Sequence, residues 1–300
     1  MQLLTHDIYL TGSSGFVGKN LIDYLGSQYT INIGNRNNPI VISESIVIHL
    51  AGKAHDLKKS LMPDEYYQVN TELTKKYFDA FLASNAKIFI TLSSVKAVAD
   101  KVESELNEDY IANPLTHYGK SKLLAEQYIL SSKIPEWKRV YILRPCMIHG
   151  PGNKGNLNLL YKIVSNGLPW PLGAFENQRS FCSIENLCFI IKELISNDNI
   201  QSGVYNIADD TPISTNDLIN LISLSKGKHS HIWKIPKYII RSLSKLGDIL
   251  RLPLNTERLE KLSDTYIVSN NKILSAINKP LPLTSKQGLI KTFNSFNTNA

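Results

Sequence analysis

The stretch Thr11-Gly12-Ser13-Ser14-Gly15-Phe16-Val17-Gly18 decides the fold, because it joins a short apolar strand at 7–11 to an apolar helix that runs to Leu25. In a Gly-x-x-Gly-x-x-Gly turn, glycine permits a tight bend, close approach of a pyrophosphate to the backbone, and close packing of helix on strand. The context therefore predicts a dinucleotide-binding turn, with a plain tight turn as the alternative. The predicted contacts are Gly12, Ser14, Gly15, Phe16, Val17 and Gly18.

Strands and helices alternate beyond this turn. Strands are predicted at 29–34, 45–50, 87–92, 139–143 and 203–207, with helices at 63–84 and 116–131. This order predicts an α/β fold built on a Rossmann-type, doubly wound parallel sheet. We expect a dinucleotide-binding domain over residues 1–150, to which part of 180–210 returns, and a smaller substrate-binding domain over 151–300.

The segment between the second and third strands is short. Only about ten residues separate Asn35 from the strand at 45–50, which is too few for a full parallel crossover. One α/β unit is therefore expected to be trimmed, with Ile40-Val41-Ile42 as a remnant strand. The segment 35–38 contains Arg36 and no acid, and arginine suits a ribose 2′-phosphate. We therefore favour NADP(H) over NAD, with a solvated loop role for Arg36 as the alternative.

Composition limits the function classes. The chain has 300 residues, 43% of them hydrophobic, and a net charge of +7 from 33 basic and 26 acidic residues. No run of like charges indicates a nucleic-acid arm, and the diffuse positive charge suits phosphorylated small molecules. Cys146, Cys182 and Cys188 lack metal-ligand spacing and are expected to be reduced thiols, so we predict no metal site and a cytoplasmic protein. No signal peptide or membrane-spanning run is recognised.

A tyrosine and a lysine one helical turn apart are the candidate catalytic pair. Tyr118 and Lys122 share one helix face, and a nearby ammonium favours ionisation of a phenol. Such a phenol can act as general acid or base in hydroxyl-to-ketone chemistry. Ser94 follows a strand, at the edge of a parallel sheet where ligands bind. By itself a Tyr-x-x-x-Lys pair is more often an ordinary surface pair.

Taken together, these segments resemble the extended short-chain dehydrogenases/reductases of the nucleotide-sugar epimerase/dehydratase family. The matching segments are 11–18, 49–52, 92–96, 118–122, 143–145 and 149–152. The resemblance implies that Tyr118 is the catalytic acid/base, that Lys122 lowers its pKa and holds the nicotinamide ribose, and that Ser94 hydrogen-bonds the reacting oxygen. Further implied cofactor contacts are Leu50, Ala51, Gly52 and Pro145.

The second part of the chain is expected to hold a UDP-sugar. Lys154 and the helix start at Asn156 could meet a diphosphate, with a solvated helix start as the alternative for Lys154. The resemblance places Pro171 and Leu172 in a loop that borders the uracil, and gives Arg179 the role of binding the diphosphate. Lys96 is a further candidate for substrate binding.

The reaction that the resemblance favours is reduction, with NADPH, of the 4-keto group of a UDP-linked 6-deoxy-N-acetylhexosamine for surface polysaccharides. A 4-epimerase that retains NAD is the alternative, and a non-catalytic nucleotide-binding sensor is a second one. Val95 and Lys96 follow Ser94 where dehydratases of the family carry an acid, which argues against dehydration. The resemblance also implies a homodimer formed through the helices at 63–84 and 116–131.

One amphipathic stretch has no place in this scheme. From Lys234 to Leu252, basic residues alternate with leucine and isoleucine. A basic amphipathic helix can lie on a membrane surface. An ordinary helix with its apolar face on the core is the commoner case, so membrane contact is not expected.

Overall fold

The computed structural model describes residues 7–34, 40–54, 62–153, 155–250 and 255–297. Its main feature is a six-stranded parallel sheet in the order β2-β1-β3-β4-β5-β8, next to a separate parallel pair formed by β6 and β7. The strands are β1 (Asp7–Thr11), β2 (Thr30–Ile33), β3 (Ile46–His49), β4 (Ile88–Leu92), β5 (Arg139–Pro145), β6 (Met147–His149), β7 (Phe181–Ser183) and β8 (Gly203–Ile207). The predicted doubly wound sheet is confirmed.

Helices cover both faces of this sheet and build the second half of the chain. They are α1 (Phe16–Leu25), α2 (Pro63–Tyr66), α3 (Leu73–Ala83), α4 (His117–Ser131), α5 (Asn156–Ser165), α6 (Ile184–Ser196), α7 (Thr215–Ser225), α8 (Lys237–Leu250), α9 (Thr256–Ser263), α10 (Asn271–Ile277) and α11 (Ser285–Asn297). A π-helical segment, Tyr67–Glu72, joins α2 to α3. None of the described helices is long and apolar enough to cross a membrane.

Alternate strand residues form two cores, one on each face of the sheet. Ile8 and Leu10 of β1 join a cluster with α1 and α6, whereas Tyr9 between them joins a second cluster with α3. This is the alternation that a strand imposes when both of its faces are buried. A third cluster unites α5, α7 and α11. The division of the chain into domains at residue 150 stays a prediction.

Residues 40–45 lead from the short segment after β2 into β3. β2 lies at the edge of the sheet and pairs with β1, whose other side pairs with β3. The described residues 40–45 form no strand, so the remnant strand predicted at Ile40–Ile42 is wrong. Only twelve residues, 34–45, connect the two strands across β1, and this connection leaves β2 as the outermost strand. The three cysteines are free and buried, as expected.

Candidate active site

The glycine-rich turn has the shape of a dinucleotide cradle. Gly12 has φ +72°, and a Cβ there would lie 2.6 Å from the backbone nitrogen of Ala51 at the end of β3. A Cβ on Gly18 would lie 2.3 Å from the Gly12 carbonyl oxygen. Both positions therefore require glycine for α1 to pack against the turn. Gly15 precedes α1 and offers no side-chain cap, which leaves the helix N-terminus suited to a pyrophosphate.

A buried polar pair holds the ends of β1 and β3 together beside this cradle. Thr11 Oγ1 lies 2.8 Å from His49 Nδ1 and accepts a hydrogen bond from the Ala51 backbone N–H at 3.3 Å. Burial, together with the Lys122 charge, lowers the pKa of His49 to about 3. His49 is therefore a neutral structural residue that fixes the backbone of Leu50 and Ala51. The sequence-based reading used this histidine only as part of a family motif.

Ser94 begins a single 3₁₀ turn, Val95–Ala97, directly after β4. Its Oγ accepts a hydrogen bond from the Lys96 backbone N–H at 3.2 Å. This bond fixes the side chain and leaves the Ser94 hydroxyl hydrogen available to a second acceptor. The Tyr118 phenol is this second partner, because it is hydrogen-bonded to the Ser94 side chain.

Helix α4 carries Tyr118 to Ser94 by close backbone packing. Thr116 caps the helix by accepting a hydrogen bond from the Gly119 backbone N–H at 3.1 Å. A Cβ on Gly119 would lie only 2.3 Å from the Lys96 carbonyl oxygen. The missing side chain therefore lets the first turn of α4 rest on the backbone of the Ser94 turn. This requirement for glycine was not recognised from the sequence.

The pKa of Tyr118 departs from the expectation. Burial raises it, the hydrogen bond with Ser94 lowers it in part, and the neighbouring Tyr66 phenol raises it further. Lys122 is not among the described residues that shift it. The Lys122 ammonium instead donates a hydrogen bond to the Leu92 carbonyl oxygen at 2.8 Å. A role for Lys122 in lowering the pKa of Tyr118 therefore stays a prediction.

Lys122 is buried, and its charge is set by a network that the sequence did not reveal. Burial lowers the pKa of Lys122 to about 8, against an opposing effect of the Glu126 carboxylate. Glu126 lies one turn further along α4 and accepts hydrogen bonds from Arg144 Nε at 3.0 Å and Nη2 at 2.5 Å. Both partners of this ion pair are buried. The network ties the catalytic helix to the end of β5, beside Pro145.

Asn70 lies in the π-helical segment and joins three parts of the site. Its side-chain amide donates to Ser121 Oγ at 3.0 Å and to the Lys53 carbonyl at 3.0 Å, and it accepts from the Lys53 backbone N–H at 2.8 Å. A Cβ on Gly52 would lie 3.1 Å from Lys122 Nζ and 3.2 Å from Asn70 Oδ1. Asn70 thus connects the end of β3 to the helix of the catalytic pair, a role the sequence-based reading missed.

Two candidate substrate-binding residues contact Tyr266, one through its ring and one through the backbone. Lys96 Nζ lies 4.2 Å from the ring centroid of Tyr266 and donates to the Asp100 carbonyl at 2.8 Å. Arg179 pairs with Tyr266 through a backbone bridge, and its pKa is lowered by burial against the opposing charge of Asp264. Tyr266 itself donates to the Ala99 carbonyl at 2.7 Å. The substrate candidates therefore adjoin the Ser94 turn.

The remaining candidates divide into described and undescribed positions. Leu172 is buried, and its segment pairs with 232–234 through backbone bridges, while Pro171 is partly exposed. Asn156 begins α5, but its side chain lies outside the described structure. Arg36 and Lys154 also lie outside the described residues. Their predicted roles stay predictions.

Comparisons with known proteins define the class. The chain is 26% identical to a UDP-glucose 4-epimerase from Vibrio cholerae, which covers 96% of this chain and 95% of the relative. It is 26% identical to a GDP-6-deoxy-D-mannose reductase from Pseudomonas aeruginosa, over 73% of this chain and 80% of the relative.

Solved structures share the fold. The structure of RMD from Pseudomonas aeruginosa complexed with NADPH superposes with a TM-score of 0.73 at 22% identity, covering 98% of this chain and 100% of that one. MoeE5 in complex with UDP-glucose and NAD superposes with a TM-score of 0.73 at 17% identity, covering 98% and 99%. Both likenesses show a common architecture.

The sheet and the glycine-rich cradle, together with the similarity to these relatives, define an NAD(P)-dependent enzyme of the extended short-chain dehydrogenase/reductase class. The sequence model of the 3-beta hydroxysteroid dehydrogenase/isomerase family matches residues 38–237. The chain belongs to this family, and the recognition made from the sequence motifs is confirmed at that level. A sensor without turnover is accordingly set aside.

Proposed function

We propose that the protein is an NADPH-dependent reductase of the 4-keto group of a UDP-linked 6-deoxy-N-acetylhexosamine. The observation that carries the proposal is the hydrogen bond between Ser94 and Tyr118 at the carboxyl edge of the sheet, with buried Lys122 one helical turn away. This arrangement serves chemistry at a carbonyl carbon. The relatives named as a UDP-glucose 4-epimerase and a GDP-6-deoxy-D-mannose reductase support a nucleotide sugar as the substrate.

Each residue of the group has a distinct task in this reaction. A nicotinamide cofactor held at the glycine-rich cradle would supply the hydride for C4 of the sugar. Tyr118 gives its phenolic proton to the oxygen at C4 as negative charge develops there, and the Ser94 hydroxyl moves its hydrogen bond from Tyr118 to the same oxygen. The Lys122 ammonium, still protonated at neutral pH with a pKa of about 8, stabilises the negative site left on Tyr118.

The hydrogen bonds of one acidic residue after β2 support NADPH as the cofactor. Glu44 is the first acidic residue after β2, and it is buried. Its carboxylate accepts hydrogen bonds from Asn32 Nδ2 and the Ser43 backbone N–H, both at 2.9 Å. Glu44 is thus engaged elsewhere and cannot serve as the usual ribose-binding acid. We therefore assign the ribose 2′-phosphate to Arg36 on its sequence position.

The direct test is stoichiometric consumption of NADPH by the purified protein with a UDP-4-keto-6-deoxy-N-acetylhexosamine. Tyr118→Phe and Ser94→Ala should each lower kcat by about 10²- to 10⁴-fold, because each removes a group that acts on the reacting oxygen. Tyr128→Phe is the matched control, since Tyr128 lies on the same helix and bonds to Asp79 at its surface. Full activity of Tyr118→Phe would refute the assignment.

Arg36 has a separate test. Arg36→Ala should weaken NADPH binding by about 10- to 100-fold through loss of a charge-assisted hydrogen bond, and should leave NADH binding unchanged. Asn35→Ala is the neighbouring control. Equal losses for both cofactors would remove the 2′-phosphate from Arg36.

A 4-epimerase is the second candidate, and the full-length match to the Vibrio cholerae epimerase favours it. It requires NAD to be retained through purification and to return the hydride to the rotated ketone. Retained NAD, no net use of NADPH, and interconversion of UDP-N-acetylglucosamine with its C4 epimer would establish it in place of the reductase.

We also propose a homodimer through α2–α3 and α4. Leu124 and Leu130 on α4 are large apolar side chains that are exposed in the monomer, which supports burial at this surface. Measurement of the molar mass in solution tests it, with Leu124→Glu expected to give monomers.

A further inference from the structure

Helix α8 presents an apolar stripe to solvent. Ile239, Leu243, Leu246 and Leu250 recur at helical spacing, so they share one face, and their side chains are between 38% and 58% exposed. Tyr238 and Ile249 are more exposed still, at 71% and 78%. The expectation that this helix turns its apolar face to the core is therefore wrong.

A different and narrower face of α8 holds it to the protein. Ile240, Ser244 and Gly247 are the buried residues of the helix, and Ile240 belongs to the cluster of α5, α7 and α11. The apolar stripe adjoins this face on the helix surface but is not covered by it. Soluble proteins rarely leave a contiguous apolar stripe of this kind uncovered without a binding role.

Basic side chains lie on the polar face of α8, opposite the stripe. Lys237, Arg241 and Lys245 follow one another at one-turn spacing and are all exposed. Asp248 is the one acid in the helix, and it accepts hydrogen bonds from the backbone and hydroxyl of Thr256 at the start of α9. These bonds lower the pKa of Asp248 and fix it as a cap. The Asp248 carboxylate therefore binds the first residue of α9.

The segment before α8 extends the positive charge. Lys228 and Lys234 are exposed, as is Trp233 at 57%. Residues 226–250 hold six lysines and arginines against one acid. A tryptophan and a tyrosine beside a basic amphipathic helix suit the boundary between lipid headgroups and acyl chains.

We propose that α8 docks the protein peripherally on an anionic lipid surface, with the stripe Ile239-Leu243-Leu246-Leu250 inserted at the headgroup boundary and the basic polar face of the helix at the level of the lipid phosphates. Such a surface supplies both apolar depth and negative charge. This interaction is independent of the reductase assignment.

The test is sedimentation of the full-length protein with vesicles of phosphatidylethanolamine and phosphatidylglycerol, compared with vesicles of phosphatidylcholine alone. We expect binding to the anionic vesicles that weakens with added salt. Arg241→Gln/Lys245→Gln should weaken binding by about tenfold or more, since each basic residue near the surface contributes about fivefold. Leu243→Ser/Leu246→Ser should abolish insertion. These substitutions lie at exposed positions, and thermal unfolding verifies that each variant folds.

Matched controls keep the result specific. Lys133→Gln/Lys286→Gln removes the same charge from other exposed sites, and Leu224→Ser removes an exposed leucine from α7. Both controls should bind vesicles as the wild type does. Absence of binding to anionic vesicles, or equal binding by the α8 variants, would overturn the proposal. A lower molar mass of Leu243→Ser/Leu246→Ser in solution would overturn it too, because a second copy would then cover the stripe. Turnover of a soluble UDP-sugar should be unchanged in the α8 variants, so failure of docking and failure of the reductase assignment are separable.

Discussion

Gly119→Ala should separate Tyr118, the proposed acid/base, from Ser94. The added Cβ would lie 2.3 Å from the Lys96 carbonyl oxygen, whereas ordinary contact begins at 3.4 Å, so α4 and the Ser94 turn must separate by about 1.1 Å. A displacement of about 1 Å between reacting groups can lower kcat by about a hundredfold. In an unstrained helix the same substitution would be favourable, because alanine is preferred over glycine by up to about 1 kcal/mol. A loss of activity and stability would therefore indicate overpacking at Gly119, whereas a gain in stability would indicate that helix propensity dominates.

The assay compares kcat for ketone reduction with NADPH affinity and thermal stability. We expect kcat to fall by about two orders of magnitude, with NADPH affinity little changed and stability lowered by about 1–3 kcal/mol from overpacking. Lys120→Ala, at the next and exposed position of α4, should leave all three unchanged. A Gly119→Ala protein with wild-type kcat and a higher melting temperature would refute the reasoning.

Three further predictions concern buried charge. Lys122→Met should raise the free energy of unfolding at pH 7, although activity is lost. Because folding lowers the pKa of Lys122 from 10.5 to about 8, the stability of the wild type should rise with pH across that interval. Urea unfolding of the variant should show no such rise. Folding likewise lowers the pKa of His49 from 6.5 to about 3, so stability should fall as the pH drops through that window, and His49→Asn should flatten the dependence in the same measurement. Glu126→Gln should lower the free energy of unfolding by about 3–5 kcal/mol, because Arg144 is left buried without its ion-pair partner. The double variant Glu126→Leu/Arg144→Met should recover much of the lost stability in thermal unfolding. A Glu126→Gln protein as stable as the wild type would contradict this prediction.

The sequence predicted those elements whose pattern is local. The strand at 7–11 and the strand at 203–207 have the predicted bounds, since apolar runs between turn residues specify buried strands. The helix predicted at 63–84 is present, but its middle is π-helical around Asn70. The apolar periodicity of this segment does not indicate the wider π-helical turn. The hydrogen bonds of Asn70 reach Lys53 and Ser121, which are distant in sequence, so no local pattern predicts them.

The site was predictable where one element carries it and not where several meet. Tyr118 and Lys122 share a helix, as their spacing predicted, while their catalytic roles stay predictions. Tyr266 lies 148 positions beyond Tyr118, and no local pattern connects it with the Ser94 turn. Helix α8 shows the same limit for packing, because amphipathic periodicity defines two faces without saying which one meets the core.

The contact of Tyr266 with the Ser94 turn has a consequence for how activity is acquired. Its hydroxyl bonds to the Ala99 carbonyl at 2.7 Å, and the backbone of Ile267 accepts from Leu106 at 2.9 Å. Ser94, Tyr118 and Lys122 are all synthesised in the first half of the chain, but the residues that support the Ser94 turn are synthesised near its end. A nascent chain that has emerged only as far as β8 lacks this support. We therefore expect Ser94 and Tyr118 to reach their final arrangement only after the residues around Tyr266 have folded against the Ser94 turn.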